Sequence, residues 1–185
     1  MKYPSIALLL ALPLAGCGSS SGPSIHEKNA TVAEVTNSVS EASAAGTLRF
    51  NPGRWVSTVT VDEMTIPGLP PQAAAMMKKA MGQAHTDDKC LTPEEAKKPQ
   101  ANFFTDKKDC RYDHFTMGGG KIDAKMVCNG GGQNQEIDLK GSYSPDSYQM
   151  AMEGSFTGGP GGRNMNMRMH VDAKRVGVCT GNEES

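Results

Sequence analysis

Two spacings of apolar residues divide the chain. Val32, Val35 and Val39 recur at helical steps, and Thr31-Val32-Ala33-Glu34 forms a capping box ahead of them. The spacing predicts one amphipathic helix from Val32 to Ala45, stopped at Gly46 and laid on the domain as a lid or brace. From Arg54 the period becomes two. Trp55, Val59 and Val61 point one way, and Thr58, Thr60 and Asp62 the other, as in a half-buried strand. Pro67-Gly68-Leu69-Pro70-Pro71 ends that strand, and the Ala/Met/Lys-rich stretch from Gln72 to Gly82 predicts a short helix. A strand is expected around Asp88 to Leu91. Thr92-Pro93-Glu94-Glu95 is a second capping box, opening a helical turn or two over Pro93 to Lys98.

Strand periodicity dominates beyond Cys110. Runs from Arg111 to Met117 and from Lys121 to Val127 flank the turn Gly118-Gly119-Gly120. Folding this hairpin about Gly119 sets Cys110 opposite Cys128, Tyr112 opposite Met126, Asp113 opposite Lys125 and His114 opposite Ala124. Next come Gln133 to Tyr143, the turn Ser144-Pro145-Asp146-Ser147, and Tyr148 to Thr157. Their register is fixed by Tyr143 opposite Tyr148 and Leu139 opposite Met152. In the last strand, Asn164 to Arg175, Met165, Met167, Met169 and Val171 alternate with Asn164, Asn166, Arg168 and His170. This pattern predicts a mainly β fold: an antiparallel meander curled into a small barrel or sandwich, with two or three short helices.

The beginning of the chain changes the picture. An apolar run from Ile6 to Leu14 follows Lys2 and ends in Leu14-Ala15-Gly16-Cys17. It is too short to span a membrane and has the form of a lipoprotein signal peptide, with Cys17 as the lipid-modified residue. The expected layout is a leader over 1–16, a lipidated tether and amphipathic helix over 17–48, a disulfide-braced β domain over 49–181 and a tail over 182–185. Gly18 offers no retention signal, which favours the outer membrane over the inner for this periplasm-facing chain. The membrane is thus one partner, through the N-terminal lipid.

Of the five cysteines, four remain for pairing, and export to an oxidising compartment permits bridges. The hairpin register favours Cys110–Cys128, which leaves Cys90–Cys179 to tie the chain's end to its middle. Zinc sites bring cysteines in close pairs, a spacing absent here. With 19 Lys plus Arg against 20 Asp plus Glu, no global field favours nucleic acid.

Asn51-Pro52-Gly53-Arg54-Trp55, Cys90-Leu91-Thr92-Pro93-Glu94-Glu95, Cys110-Arg111-Tyr112, Cys128 and Lys174-Arg175-Val176-Gly177-Val178-Cys179 together carry a family resemblance. The chain, over about Arg49 to Cys179, resembles the bacterial domain of unknown function numbered thirty-six seventeen, a group of small secreted or lipid-anchored proteins. The resemblance implies a periplasmic β-rich domain with cysteines available for bridges. It implies no catalytic residues.

Candidate chemistry is sparse. His26, His85, His114 and His170 form no metal motif, the glycine clusters match neither a phosphate loop nor a nucleophile elbow, and no acid, base and nucleophile set emerges. The expectation is a non-catalytic binding or envelope-structural module with no cofactor. Its partner would be an envelope protein, a lipid or a small apolar ligand. The alternative is Cu(I) held by the thioethers of Met165, Met167 and Met169, with Met150 or Met152 as a further ligand, since soft sulfur ligands suit that ion. Strand parity sends His170 to the opposite face.

Overall fold

The computed structural model describes residues 24–97, 109–130, 133–158, 164–181 and 183. Along the chain run β1 (Ile25–Thr31), α1 (Val32–Ala44), β2 (Gly53–Thr65), α2 (Pro71–Met81), β3 (His85–Leu91) and α3 (Pro93–Lys97). They are followed by β4 (Cys110–Gly118), β5 (Lys121–Gly130), β6 (Gln133–Ser144), β7 (Ser147–Thr157) and β8 (Met165–Gly177). The eight strands form one antiparallel sheet in the order β1-β4-β5-β6-β7-β8-β2-β3. It curls in a sandwich-like manner without closing, so β1 and β3 are its edges.

Local chemistry explains most of these elements. Thr31 Oγ1 accepts the Glu34 N–H at 3.2 Å while the Thr31 N–H donates to Glu34 Oε2 at 2.7 Å, so two otherwise orphaned donors at the start of α1 are satisfied. Thr92 and Glu95 repeat the arrangement at α3, at 3.2 and 2.9 Å. Gly119 and Gly120, at φ of 56° and 75°, form the two-residue turn between β4 and β5. A turn with both central residues in the left-handed region is one of the two kinds that match the twist of such a hairpin. Between β6 and β7, Pro145 and Asp146 make the corresponding turn, beyond the pair Ser144 and Ser147.

The sequence pattern misses one strand. β1 pairs with β4 from Ile25 opposite Met117 to Thr31 opposite Arg111, so part of the stretch read as tether belongs to the sheet. Its alternation is hidden because Ile25 and Ala30 are its only apolar residues and Asn29 sits at φ 53°. Asparagine is among the few non-glycine residues that tolerate this region.

A second departure lies in the hairpin. Cys110 faces Cys128 and Tyr112 faces Met126 as expected, but the register then shifts by one, pairing His114 with Lys125 and Phe115 with Ala124. The expected pairs Asp113–Lys125 and His114–Ala124 are therefore not formed. A bulge at Asp113 absorbs the extra residue, because a two-residue turn at Gly119-Gly120 and a Cys110–Cys128 pair cannot share one uninterrupted register. The bulge turns His114 outward and drives Phe115 fully into the core, where it is 0% exposed.

That core lies between α1 and the β1–β4–β5 part of the sheet. Val35 and Val39 of α1 meet Ala30, Tyr112, Phe115, Met117, Ile122, Ala124 and Met126, with Cys110 and Cys128 among them. A second, aromatic cluster of Phe50, Trp55, Tyr143 and Tyr148 has ring centroids 5.9–6.3 Å apart. Its indole Nε1–H donates to the Asn51 carbonyl at 3.0 Å. The Cys110 and Cys128 Cα atoms are 4.0 Å apart, and those of Cys90 and Cys179 are 5.4 Å apart, each pair with its sulfurs at bonding distance. Arg54 adds an ion pair to Asp88, with Nε 3.0 Å from Oδ1. The tail folds back beside it, where Thr180 and Gly181 N–H groups donate to the Glu183 carboxylate at 2.7 and 2.9 Å. These donors, Thr180 first, hold the Glu183 pKa down to about 2.

Candidate functional site

The apolar face of the sheet continues from the α1-covered core across β6, β7, β8 and β2, and there its character changes. Reading one row across the strands gives Met126, Ile137, Gly154, Met167 and Met64. The adjacent row is Ala124, Leu139, Met152, Met169 and Val61, and the next is Ile122, Gly141, Met150, Val171 and Val59. Met126, Ala124 and Ile122 are buried, but Met64, Met150, Met152, Met167 and Met169 are only half-buried. The helices account for the difference. α1 packs against β1 and β4, whereas the main contact of α2 is with β2. Five flexible thioether side chains thus line a face that the described residues leave partly open. Gly154 adds a gap in this row. A Cβ there would lie 2.7 Å from the Phe156 ring, so the ring lies over the glycine backbone and borders Met167's row.

The sequence-derived thioether set changes in composition. Met165, Met167 and Met169 share one face of β8, and Met152 stands directly opposite Met169. Met150 faces Val171, one row away, and Met165 faces Phe156 at the beginning of the strand. Met64, which sequence parity does not select, is directly opposite Met167. Strict alternation from Val61 would send Met64 to the polar face. A bulge between Val61 and Glu63 reverses the parity and brings it in. Directly opposed residues on neighbouring strands have Cβ atoms about 5 Å apart, so Met64, Met167, Met169 and Met152 form one contiguous group.

The other face is polar and internally paired. Arg168 donates from Nε to Glu153 at 3.0 Å and from a terminal nitrogen to Glu63 at 3.2 Å. His170 lies with Nδ1 2.9 Å from Asp62 Oδ2, and that hydrogen bond raises its pKa. It occupies the face opposite the methionines, as its parity in β8 requires. His114, outward because of the bulge, places Nε2 2.9 Å from Asp123 Oδ1, which raises its pKa as well. A hollow of about 430 Å³ is lined by Glu63, Glu136, Asp138, Glu153 and Arg168, with Gly154 and Met167 also in its wall. The one arginine in this group is already engaged by two of the carboxylates.

Other expected features have plain places. Asp88 pairs with Arg54, and Glu95 caps α3. Cys17, the leader and the Gly18 to Pro23 part of the tether lie outside the described residues. Among those described, no helix is long and apolar enough to cross a membrane.

A family model described as protein of unknown function, DUF3617, matches residues 50–179. No curated protein and no solved structure matches the chain.

Proposed function

The chain belongs to the DUF3617 family of proteins of unknown function, and from that premise we propose a non-catalytic binding module of the cell envelope, lipid-anchored at Cys17 and facing the periplasm. Its ligand is a small apolar molecule or acyl chain taken up by the methionine-lined face of β6, β7, β8 and β2. One observation carries this reading: Met64, Met150, Met152, Met167 and Met169 are half-buried on the same sheet face whose β4 and β5 portion is sealed. Unbranched thioether chains adapt to ligands of irregular shape, a property that promiscuous apolar binding surfaces exploit. On the polar face, Arg168 is held by Glu63 and Glu153 and His170 by Asp62.

The test is to extract the native protein from membranes in mild detergent and analyse it intact by mass spectrometry. The reading expects a mass carrying lipid on Cys17 and a second, dissociable apolar species. A clean, empty chain that also fails to bind dodecanoate in solution would contradict it.

The juxtaposition of Met64 with Met167 favours a second reading, Cu(I) held by Met64, Met152, Met167 and Met169. It predicts stoichiometric Cu(I) uptake under anaerobic titration. Uptake would be abolished by Met64→Leu with Met167→Leu and little changed by Met165→Leu. Equal affinity in all three proteins removes the copper reading and leaves the apolar one untouched.

A further inference from the structure

We infer that the anchored domain sits with one particular rim of its sheet on the bilayer, and that Val176 and Val178 are its points of contact. The inference rests on the reading that Cys17 carries the lipid.

Antiparallel pairing sends alternate strand ends to the same rim. β1 starts there, the β4–β5 and β6–β7 turns lie there, β8 ends there at Gly177 and β2 starts there at Gly53. The chain therefore enters the fold from this side. Eight residue steps separate Cys17 from Ile25, a contour of about 28 Å. The row through Ile25 runs by way of Met117, Ile122, Gly141 and Met150 to Val171. β8 runs six residues beyond Val171 to Gly177, about 20 Å further towards the rim at strand spacing, and Val178 follows directly. A contour of that length, entering at this rim, is enough to bring the lipid to the side of the fold that carries Val178. Contact at the opposite rim would require the tether to double back along the sheet.

Surface chemistry agrees. Val176 is 54% exposed and Val178 75%, two of the three large apolar residues most open to solvent among those described. At this rim Arg54 pairs with Asp88 and Arg175 stands 4.0 Å from Asp146, while Lys121 and Lys174 are exposed, so cations flank the apolar contact. Two valines are too small a contact to hold a free domain on a membrane, but an anchor supplies the proximity they lack. The third exposed apolar residue, Met76 at 74%, lies on α2, which follows the end of β2 at the opposite rim. It is a matched control.

The experiment places a tryptophan at each position, Val178→Trp or Met76→Trp, in the full lipidated chain. The proteins are reconstituted in phosphatidylethanolamine–phosphatidylglycerol vesicles with brominated acyl chains. The buried Trp55 of the unsubstituted protein gives the background. Quenching at 178 is expected to exceed that at 76 severalfold. Equal or reversed quenching, in protein whose mass shows lipid on Cys17, overturns the inference and leaves the anchor standing. A mass without lipid overturns the anchor, and the seating with it.

Discussion

The two ends of the sheet's apolar face are built from similar residue types and are buried to different extents. Under α1, Val35, Phe115 and Ala124 are 0–2% exposed, and methionines 117 and 126 sit at 9% and 8%. Across β7, β8 and β2, methionines of the same sheet face stay half-buried. What differs is the cover. A capped helix follows β1 immediately and lies back over β1 and β4, whereas α2 is set off by a Pro/Gly-rich connection and packs mainly on β2. Sealing thus depends on chain connection as much as on hydrophobicity.

The sharpest way to break this comparison is to truncate matched positions. Phe115→Ala should cost about 4 kcal/mol in urea unfolding, because a wholly buried ring leaves a cavity behind. Met152→Ala, on the open face, should cost only about 1 kcal/mol, in proportion to the area it hides. Similar costs at both positions would mean that the methionine face is ordinary core.

The disulfides probe the same division. Replacing Cys110 and Cys128 by serine should cost about 3 kcal/mol, from the 18-residue separation that the bridge closes. In native protein, a dithiol reductant followed by alkylation and peptide mass mapping should label Cys90 and Cys179 first. Cys179 is exposed, whereas Cys110 and Cys128 are each 5% exposed. Simultaneous labelling of all four would show that the covered half opens as readily as the tail.

Titration gives a smaller effect. Glu183 has a lowered folded pKa, so its contribution is complete above its unfolded value near 4.5 and is lost as pH falls towards about 2. Protection of the Thr180 and Gly181 amides, taken relative to their intrinsic exchange at each pH, should fall over that window and stay constant there in Glu183→Gln. His114 and His170 run the other way. Their folded pKa values are raised, so each stabilises fully below 6.5 and loses that contribution as pH climbs through the folded value. Smallest of all is Ser43→Ala. The Ser43 hydroxyl is buried without a hydrogen-bond partner, and removing it from α1 should stabilise the covered half by about 0.5–1 kcal/mol.

Much of this architecture was legible in local chemistry. Both capping boxes, the Pro145-Asp146 turn, and the Cys110–Cys128 and Leu139–Met152 registers could be read from residue order, whereas the glycine run does not reveal that its turn centres on Gly119-Gly120 and not on Gly119. Two bulges set the limit. Each inserts one residue where nothing in the sequence flags it, and each reverses parity beyond it. One moved His114 out of the core side, and the other moved Met64 into the methionine group. β1 is not legible in the sequence because an edge strand with few apolar residues has little alternation to display. The candidate site was therefore half visible: its β8 residues followed from alternation, whereas its β2 member depended on a long-range pairing.

The central claim, that one part of the apolar face receives ligands and the other is sealed, is tested most directly by methionine methyl NMR during titration with dodecanoate below its micelle concentration. Saturable shifts are expected at Met64, Met150, Met152, Met167 and Met169, with Met117 and Met126 unmoved. Shifts absent throughout, or equal at the buried pair, would contradict it.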